Sequence, residues 1–353
     1  MNVFCEHLGL LHPIIQAPMA GVSTLALAAA VSEAGALGSF ATGAISSAQV
    51  VAQHLAELQA VTTKPINVNL FCHAPAPEDA AHDARWLTHL QPFFAALQSD
   101  APGSLTEIYP SFITNDALLA VLVQAKPRVI SFHFGLPTAT QLTALRQTGA
   151  LLLACVTSPT EAHVAEAAGV DVLVAQGIEA GGHRGTFDQS VEPGITTLYL
   201  TRQLVQECRL PVIAAGGIMD GADLAAALRA GAVAGQLGTA FVACPESAAS
   251  ASYRAALLQQ PPLPTALTDV ISGRPARGLV NRFMQDIDVP GRPPVAAYSR
   301  AYLAGKALIT AAQQAGETGF AVQWAGTGNS RARALPAAEL VRTLALELQQ
   351  ATA

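Results

Sequence analysis

Charge and aromatic rings are scarce in this chain. Asp, Glu, Lys and Arg make up only 12% of the 353 residues, and Phe, Trp and Tyr only 5%. There is no block of Lys or Arg and the net charge is −6, which argues against nucleic acid or an anionic membrane surface as a partner. Although 51% of positions are hydrophobic, no uninterrupted apolar stretch approaches the length of about 18 residues needed to span a bilayer. The opening MNVFCEHLGL has no basic segment followed by a long apolar core, so it does not read as a secretory signal, and a cytoplasmic protein is expected. Five cysteines (Cys5, Cys72, Cys155, Cys208, Cys244) lie far apart, odd in number and without a C-x-x-C pair, so no zinc, iron–sulfur or disulfide site is expected. Low-complexity tracts and fixed-period repeats are also missing. These absences leave a globule large enough for one barrel-sized domain or two smaller ones.

What is present is a rhythm. Short apolar runs alternate with alanine-rich helical patterns, the signature of βα units around a parallel sheet. The expected strands are Ile14–Ala17, Leu37–Ala41, Ile66–Leu70, Val129–His133, Leu151–Val156, Val172–Gln176, Val212–Ala215 and Gly235–Leu237. Helical segments such as Leu25–Ala34, Ala139–Gln147 and Ala222–Ala230 fall between them. That count fits an α/β fold of the (β/α)8 TIM-barrel type. A doubly wound open sheet would want G-x-G-x-x-G after its first strand, and QAPMAGVST is not that motif. Two stretches break the rhythm: residues 71–108, helical over Glu78–Leu97, and residues 245–325, which read as mainly helical. A final helix, Pro336–Gln350, puts Leu340, Leu344 and Leu348 on one face. The expected organisation is a barrel made of residues 1–244 and 326–353, with 245–325 inserted as a helical lid.

Active sites of such barrels lie at the C-terminal ends of the strands. Polar residues collect there: Gln16 to Met19, Thr42, Asn69, His133, Gln176, the loop of residues 177–186, Gly216–Gly217 and Gln236–Thr239. Each amide offers both donor and acceptor to a heterocycle edge, although capping the strand end is an equal use for any one of them. Glycines after the seventh and eighth strands suit phosphate, because a main chain without Cβ can approach it closely. In VAQGIEAGGHRGT, residues 174–186, glycines surround His183 and Arg184 in such a loop. Arg184 suits either a phosphate contact or a bond between loops; Lys64, before the third strand, lies on the opposite, structural face.

Six ordered motifs carry a resemblance: QAPMAGVSTLALAAAVSEAGALG, NVNLF, SFHFG, VAQGIEAGGHRG, AAGGIMDG with GQLGTAF, and AYSRAYLAGK. The chain resembles the nitronate monooxygenases, formerly 2-nitropropane dioxygenases, and within them class I. The resemblance implies FMN held by Met19, Asn69, Gln176, Gly181, Gly182, Gly216, Gly217, Gln236, Leu237, Gly238 and Thr239. It implies that alkyl nitronates, propionate 3-nitronate among them, react with O2 to give a carbonyl compound and nitrite by one-electron transfer to FMN. His133 and His183 become the candidate catalytic residues, with His133 favoured for the nitronate contact as an N–H donor or imidazolium. Tyr109, Tyr253, Tyr298, Tyr302 and Lys306 become the substrate wall. Tyr298, Tyr302 and Lys306 fall at i, i+4, i+8, one face of a helix. Taken alone, a strand-end histidine is more often structural and a Tyr/Lys stripe more often a solvated face; the matched motifs favour function for both. The resemblance leaves open an FMN-dependent NAD(P)H reductase of quinones or enoyl thioesters, and a non-catalytic flavin-binding barrel. A monomer or small homo-oligomer is expected, with no metal.

Overall fold

The structure is a computed structural model that describes residues 3–43, 45, 47–76 and 78–353. Eight parallel strands form the main sheet: β1 (Ile14–Gln16), β2 (Gly38–Ala41), β3 (Ile66–Phe71), β4 (Val129–His133), β5 (Leu151–Val156), β6 (Val172–Gln176), β8 (Val212–Ala215) and β9 (Ala234–Leu237), in the order β1-β9-β8-β6-β5-β4-β3-β2. The edges meet at a parallel bridge between Ile15 and Leu37, where Gln16 N donates to Leu37 O at 2.9 Å and Leu37 N to Ile14 O at 2.9 Å. The barrel is therefore nearly closed, as the alternation of strand and helix patterns implied.

Strand parity decides what faces inward. Ile15, Leu37, Val129, Leu153, Cys155, Val172, Val174, Ile213, Ala215 and Ala234 fill the interior, and Phe4 and Leu8 of the N-terminal helix (Val3–Leu8), with Leu10 just after it, stopper its lower end. The alternate residues Val68, Leu70, Ile130, Phe132, Leu152 and Leu173 pack against the surrounding helices. Those helices start where the sequence provides caps. Thr24 accepts from Leu27 N at 2.9 Å, Thr138 and Gln141 form a reciprocal capping box, and Ser158 precedes Pro159. The last helix, Ala337–Thr352, lays Leu340, Leu344 and Leu348 into the core shared with the helices Leu25–Glu33 and Gly221–Arg229. Pro336 caps it from outside the first turn. No helix among the described residues is long and apolar enough to cross a membrane.

Residues 245–325 are less helical than expected. They contain the helices Ala251–Leu258 and Arg300–Gln314, but also strands β10 (Thr265–Thr268) and β11 (Ala276–Leu279). β11 pairs antiparallel with a two-residue strand, β7 (Gly182–His183), drawn from the glycine loop after β6. Short strands with Pro and Gly neighbours carry too little periodicity to stand out in sequence. The helix Ala80–Ala96 packs on the helix Arg300–Gln314, and its Trp86, Leu90 and Phe94 share one apolar core with Val270, Ile271, Phe283 and Leu308. The overlong connection after β3 thus buries the apolar face of its helix against residues 270–320.

Candidate active site

One cavity of about 560 Å³ opens at the C-terminal ends of the strands. Parity carries the inward faces of β3, β4, β6 and β9 into it, delivering Asn69, Ser131 and His133, Gln176, and Gln236. Met19, Gly181, Gly182, His183, Gly216, Gly217, Gly238, Thr239, Tyr109, Tyr253, Tyr298, Tyr302 and Lys306 also line it. Leu237 does not. It is 1% exposed and belongs to the core between sheet and helices, since it follows inward-facing Gln236 on a strand of period two. Gln16 and Thr42 are structural as well. Gln16 accepts from Ser39 N at 2.8 Å and donates to Ser23 Oγ at 2.8 Å, and Thr42 donates to Asn69 O at 2.9 Å.

One end of the cavity is glycine. Gly216 (φ +119°) and Gly217 (φ +72°) occupy backbone conformations that disfavour L side chains. A Cβ on Gly216 would stand 2.7 Å from Thr197 Oγ1, and one on Gly181 2.5 Å from Gly326 N. The N–H groups of Gly216, Gly217 and Gly238 have no hydrogen-bond acceptor among the described residues. Uncommitted main-chain donors beside the first turn of Thr239–Val242 suit an oxyanion such as a phosphoryl group. Lys306 is the single formally charged side chain among the described lining residues, and it belongs to the other end.

The other end is aromatic. His183 stands edge-to-face with Phe134, Tyr298, Tyr302 and Trp324 at centroid distances of 5.7, 5.7, 6.3 and 5.2 Å. Its Nε2 is 2.9 Å from Ser272 Oγ, which itself donates to Arg274 O at 3.1 Å. With the serine proton so directed, His183 Nε2 is the donor and Nδ1 keeps a lone pair. His133 donates from Nε2 to His183 O at 3.3 Å. Neutral, it has no second N–H, so it does not present the free donor expected of it. Burial pushes both imidazoles down to about 3, with further lowering of His133 by Arg274 and of His183 by His133 and Arg274. Both rings touch the cavity yet lie deep within protein, and both are neutral at physiological pH, which corrects the imidazolium considered for His133.

The expected helical stripe is only partly helical. Tyr302 and Lys306 lie on Arg300–Gln314, whereas Tyr298 precedes that helix. Lys306 Nζ sits 4.8 Å from the centre of the Tyr109 ring and 5.5 Å from that of Tyr302. Ser299 fastens the Tyr109 segment by accepting from Ile108 N at 3.1 Å and Tyr109 N at 2.9 Å. Tyr253 donates its hydroxyl to Trp324 O and so braces the wall rather than offering a free donor. Arg184, fully buried, spends its guanidinium on protein partners, the inter-loop use the sequence allowed. It pairs with Glu192 at 2.7 Å and donates to Gln176 Oε1 at 2.8 Å and Gly177 O at 2.6 Å, fixing the loop. Gln176 in turn donates to His183 O at 3.0 Å, leaving one amide N–H for a ligand. Sequence reasoning missed Ser131, Cys155, Ser272, Arg274 and Trp324. Parity could have found the first two; the others lie in the insertion, where only folding brings them to the site.

A family model described as nitronate monooxygenase matches residues 3–347. The chain belongs to the nitronate monooxygenase family. A nitronate monooxygenase from Paraburkholderia phytofirmans is 53% identical, covering 97% of this chain and 94% of its own. One from Pseudomonas aeruginosa is 52% identical, covering 98% and 99%. Among solved structures, a nitroalkane oxidase from Streptomyces ansochromogenes superposes with a TM-score of 0.87 at 40% identity, covering 97% of both chains. FabK from Thermotoga maritima superposes at 0.75 with 27% identity, covering 100% of this chain and 97% of that one. Membership of the nitronate monooxygenase family makes this an enzyme, and its barrel fold is that of these neighbours.

Proposed function

We propose that the protein is an FMN-dependent enzyme that oxidises alkyl nitronates, propionate 3-nitronate among them, with O2 to a carbonyl compound and nitrite. The observation that carries this reading is the division of one cavity into an end of uncommitted glycine N–H groups and an end of tyrosines, neutral imidazole and one ammonium. FMN fits the donor set. Gly216, Gly217 and Gly238 would hold its phosphate, and Asn69, Gln176 and Gln236 its heterocycle edge. When bound, it supplies the electron-accepting chemistry that no side chain here offers.

The chain's own residues do the rest. Tyr109, Tyr298 and Tyr302 are hydroxyl donors for the two oxygens of a nitronate, and the surrounding rings keep water out. His183 faces the substrate, while His133 holds the carbonyl of His183; this reverses the ranking the sequence favoured. For a neutral nitroalkane, Nδ1 of His183 is the acceptor for the α-proton. Lys306 lies where a distant carboxylate would reach. The family membership and the nitroalkane oxidase likeness support the same reaction class.

The test is a visible spectrum of the purified protein, followed by nitrite release from a nitronate with and without NAD(P)H. A yellow protein releasing nitrite without NAD(P)H is expected. Rapid anaerobic bleaching by NAD(P)H with no nitrite would select the reductase instead, against which stands the single cation among the described residues lining the cavity.

A further inference from the structure

Arg274 is buried, 5% exposed, at the start of the segment leading into β11. Its guanidinium lies 4.3 Å from the centre of the Phe134 ring and donates to Thr186 O. Nε has no hydrogen-bond partner, and no carboxylate stands within ion-pair distance among the described residues. The acidic groups that act on it do so from farther off. Glu161 is committed to Thr157 N at 2.6 Å, Thr157 Oγ1 at 2.8 Å and Phe187 N at 2.7 Å; Asp188 is exposed and bonded to Ser190. A buried cation without a counter-ion is costly, and chains retain one mainly where something else compensates it. Here the neighbouring groups are His73, His133, His183 and Tyr298, none of them anionic at neutral pH.

We propose that Arg274 is a positioning residue whose unpaired charge, held behind Phe134, makes the cavity prefer an anionic ligand over that ligand's neutral conjugate acid. The inference rests on the nitronate reading above and names what selects the anion. Neither histidine contributes charge, and Lys306 stands at the exposed rim. A charge that acts through a ring and not by contact biases binding without obstructing the substrate. Burial does most to depress both imidazoles, and the same guanidinium lowers them further.

The experiment compares kcat/KM for ethyl nitronate and for nitroethane in the flavin-loaded wild type, Arg274→Met, Arg274→Lys and Thr186→Asp. The last variant adds a carboxylate to the residue whose main-chain carbonyl the retained guanidinium binds. The preference for nitronate is expected to fall about tenfold in Arg274→Met and Thr186→Asp, through KM and not kcat. In Arg274→Lys it should stay within about threefold of wild type. An unchanged preference in either of the first two, or an equal fall in the lysine variant, overturns the proposal. One measurement needs no substitution: nitrate should raise the melting temperature of the wild type more than nitroethane does at equal concentration, and failure to do so also overturns it. Absence of nitrite from every nitronate with the wild type would instead sink the proposed reaction, and the nitrate measurement would still report on Arg274.

Discussion

The glycine end of the cavity presents main-chain N–H groups from two neighbouring βα loops, whereas the aromatic end presents side chains gathered from β4, the loop after β6, the connection after β3 and the insertion. The first is built within the barrel and depends on what is missing, namely Cβ atoms. The second depends on a strand pairing, β7 with β11, and on a helix docked across the mouth. A backbone cradle is therefore broken by adding an atom, and an aromatic cage by removing one.

The largest effect is expected at Gly216. Alanine there takes a conformation with φ near +119° and brings Cβ to 2.7 Å from Thr197 Oγ1 and 3.0 Å from Ala180 N. Strain and overlap together should cost at least about 4 kcal/mol in urea unfolding, and the protein should be isolated colourless. A yellow Gly216→Ala protein of unchanged stability would mean that the cradle is not what holds a cofactor.

The aromatic end responds to pH instead. His133 and His183 have folded-state values of about 3, below the ordinary 6.5 of an unfolded chain. Between these values the unfolded state binds more protons, so stability is full above pH 6.5 and is lost as pH falls toward 3. Each ring sets a slope of up to about 1.4 kcal/mol per pH unit, reduced by water that the cavity admits. Roughly 2 kcal/mol should be lost between pH 6.5 and 5 by urea unfolding. His183→Gln should about halve that loss, and an equal loss in the variant would show that the two rings are not its source.

Gly238 sharpens the contrast from the barrel side. Its φ is −103°, and a Cβ there would meet Ala17 Cβ at 3.6 Å and Met19 Sδ at 3.8 Å, ordinary contacts. Gly238→Ala should unfold like the wild type without cofactor, yet bind FMN about tenfold more weakly in a fluorescence titration, because only the ligand approaches that face. Equal affinity would remove Gly238 from the cradle.

The same contrast explains what the sequence could disclose. The barrel end was legible in position, because counting strands and noting which loops carry glycine places Gly216, Gly217 and Gly238 at the cavity. Strand parity, applied to the last residues of each strand, separates Gln236 from Leu237 and adds Ser131 and Cys155. The aromatic end resisted, since β10 and β11 are four residues each and the helix Ala80–Ala96 gives no sign in its own sequence that it packs on the insertion. Arg274 and Ser272 acquire meaning only when β11 pairs with β7 beside His183. The bond from His133 Nε2 to His183 O, on which the proposed order of the two histidines rests, joins strand to loop across 50 positions and leaves no local signature.

Lys306 gives the smallest effect and divides the aromatic end itself. Its ammonium is exposed and held by the faces of Tyr109 and Tyr302, with no carboxylate partner among the described residues. An exposed charge is well screened, so its pull on a substrate carboxylate is worth only a few tenths of a kcal/mol to about 1 kcal/mol. Lys306→Met should raise KM about threefold for propionate 3-nitronate at low salt and leave propyl nitronate unaffected, with kcat unchanged for both. Added salt should erase the difference between variant and wild type. If both substrates lose alike, Lys306 supports the two tyrosines and not the substrate's far end, and the carboxylate is bound elsewhere.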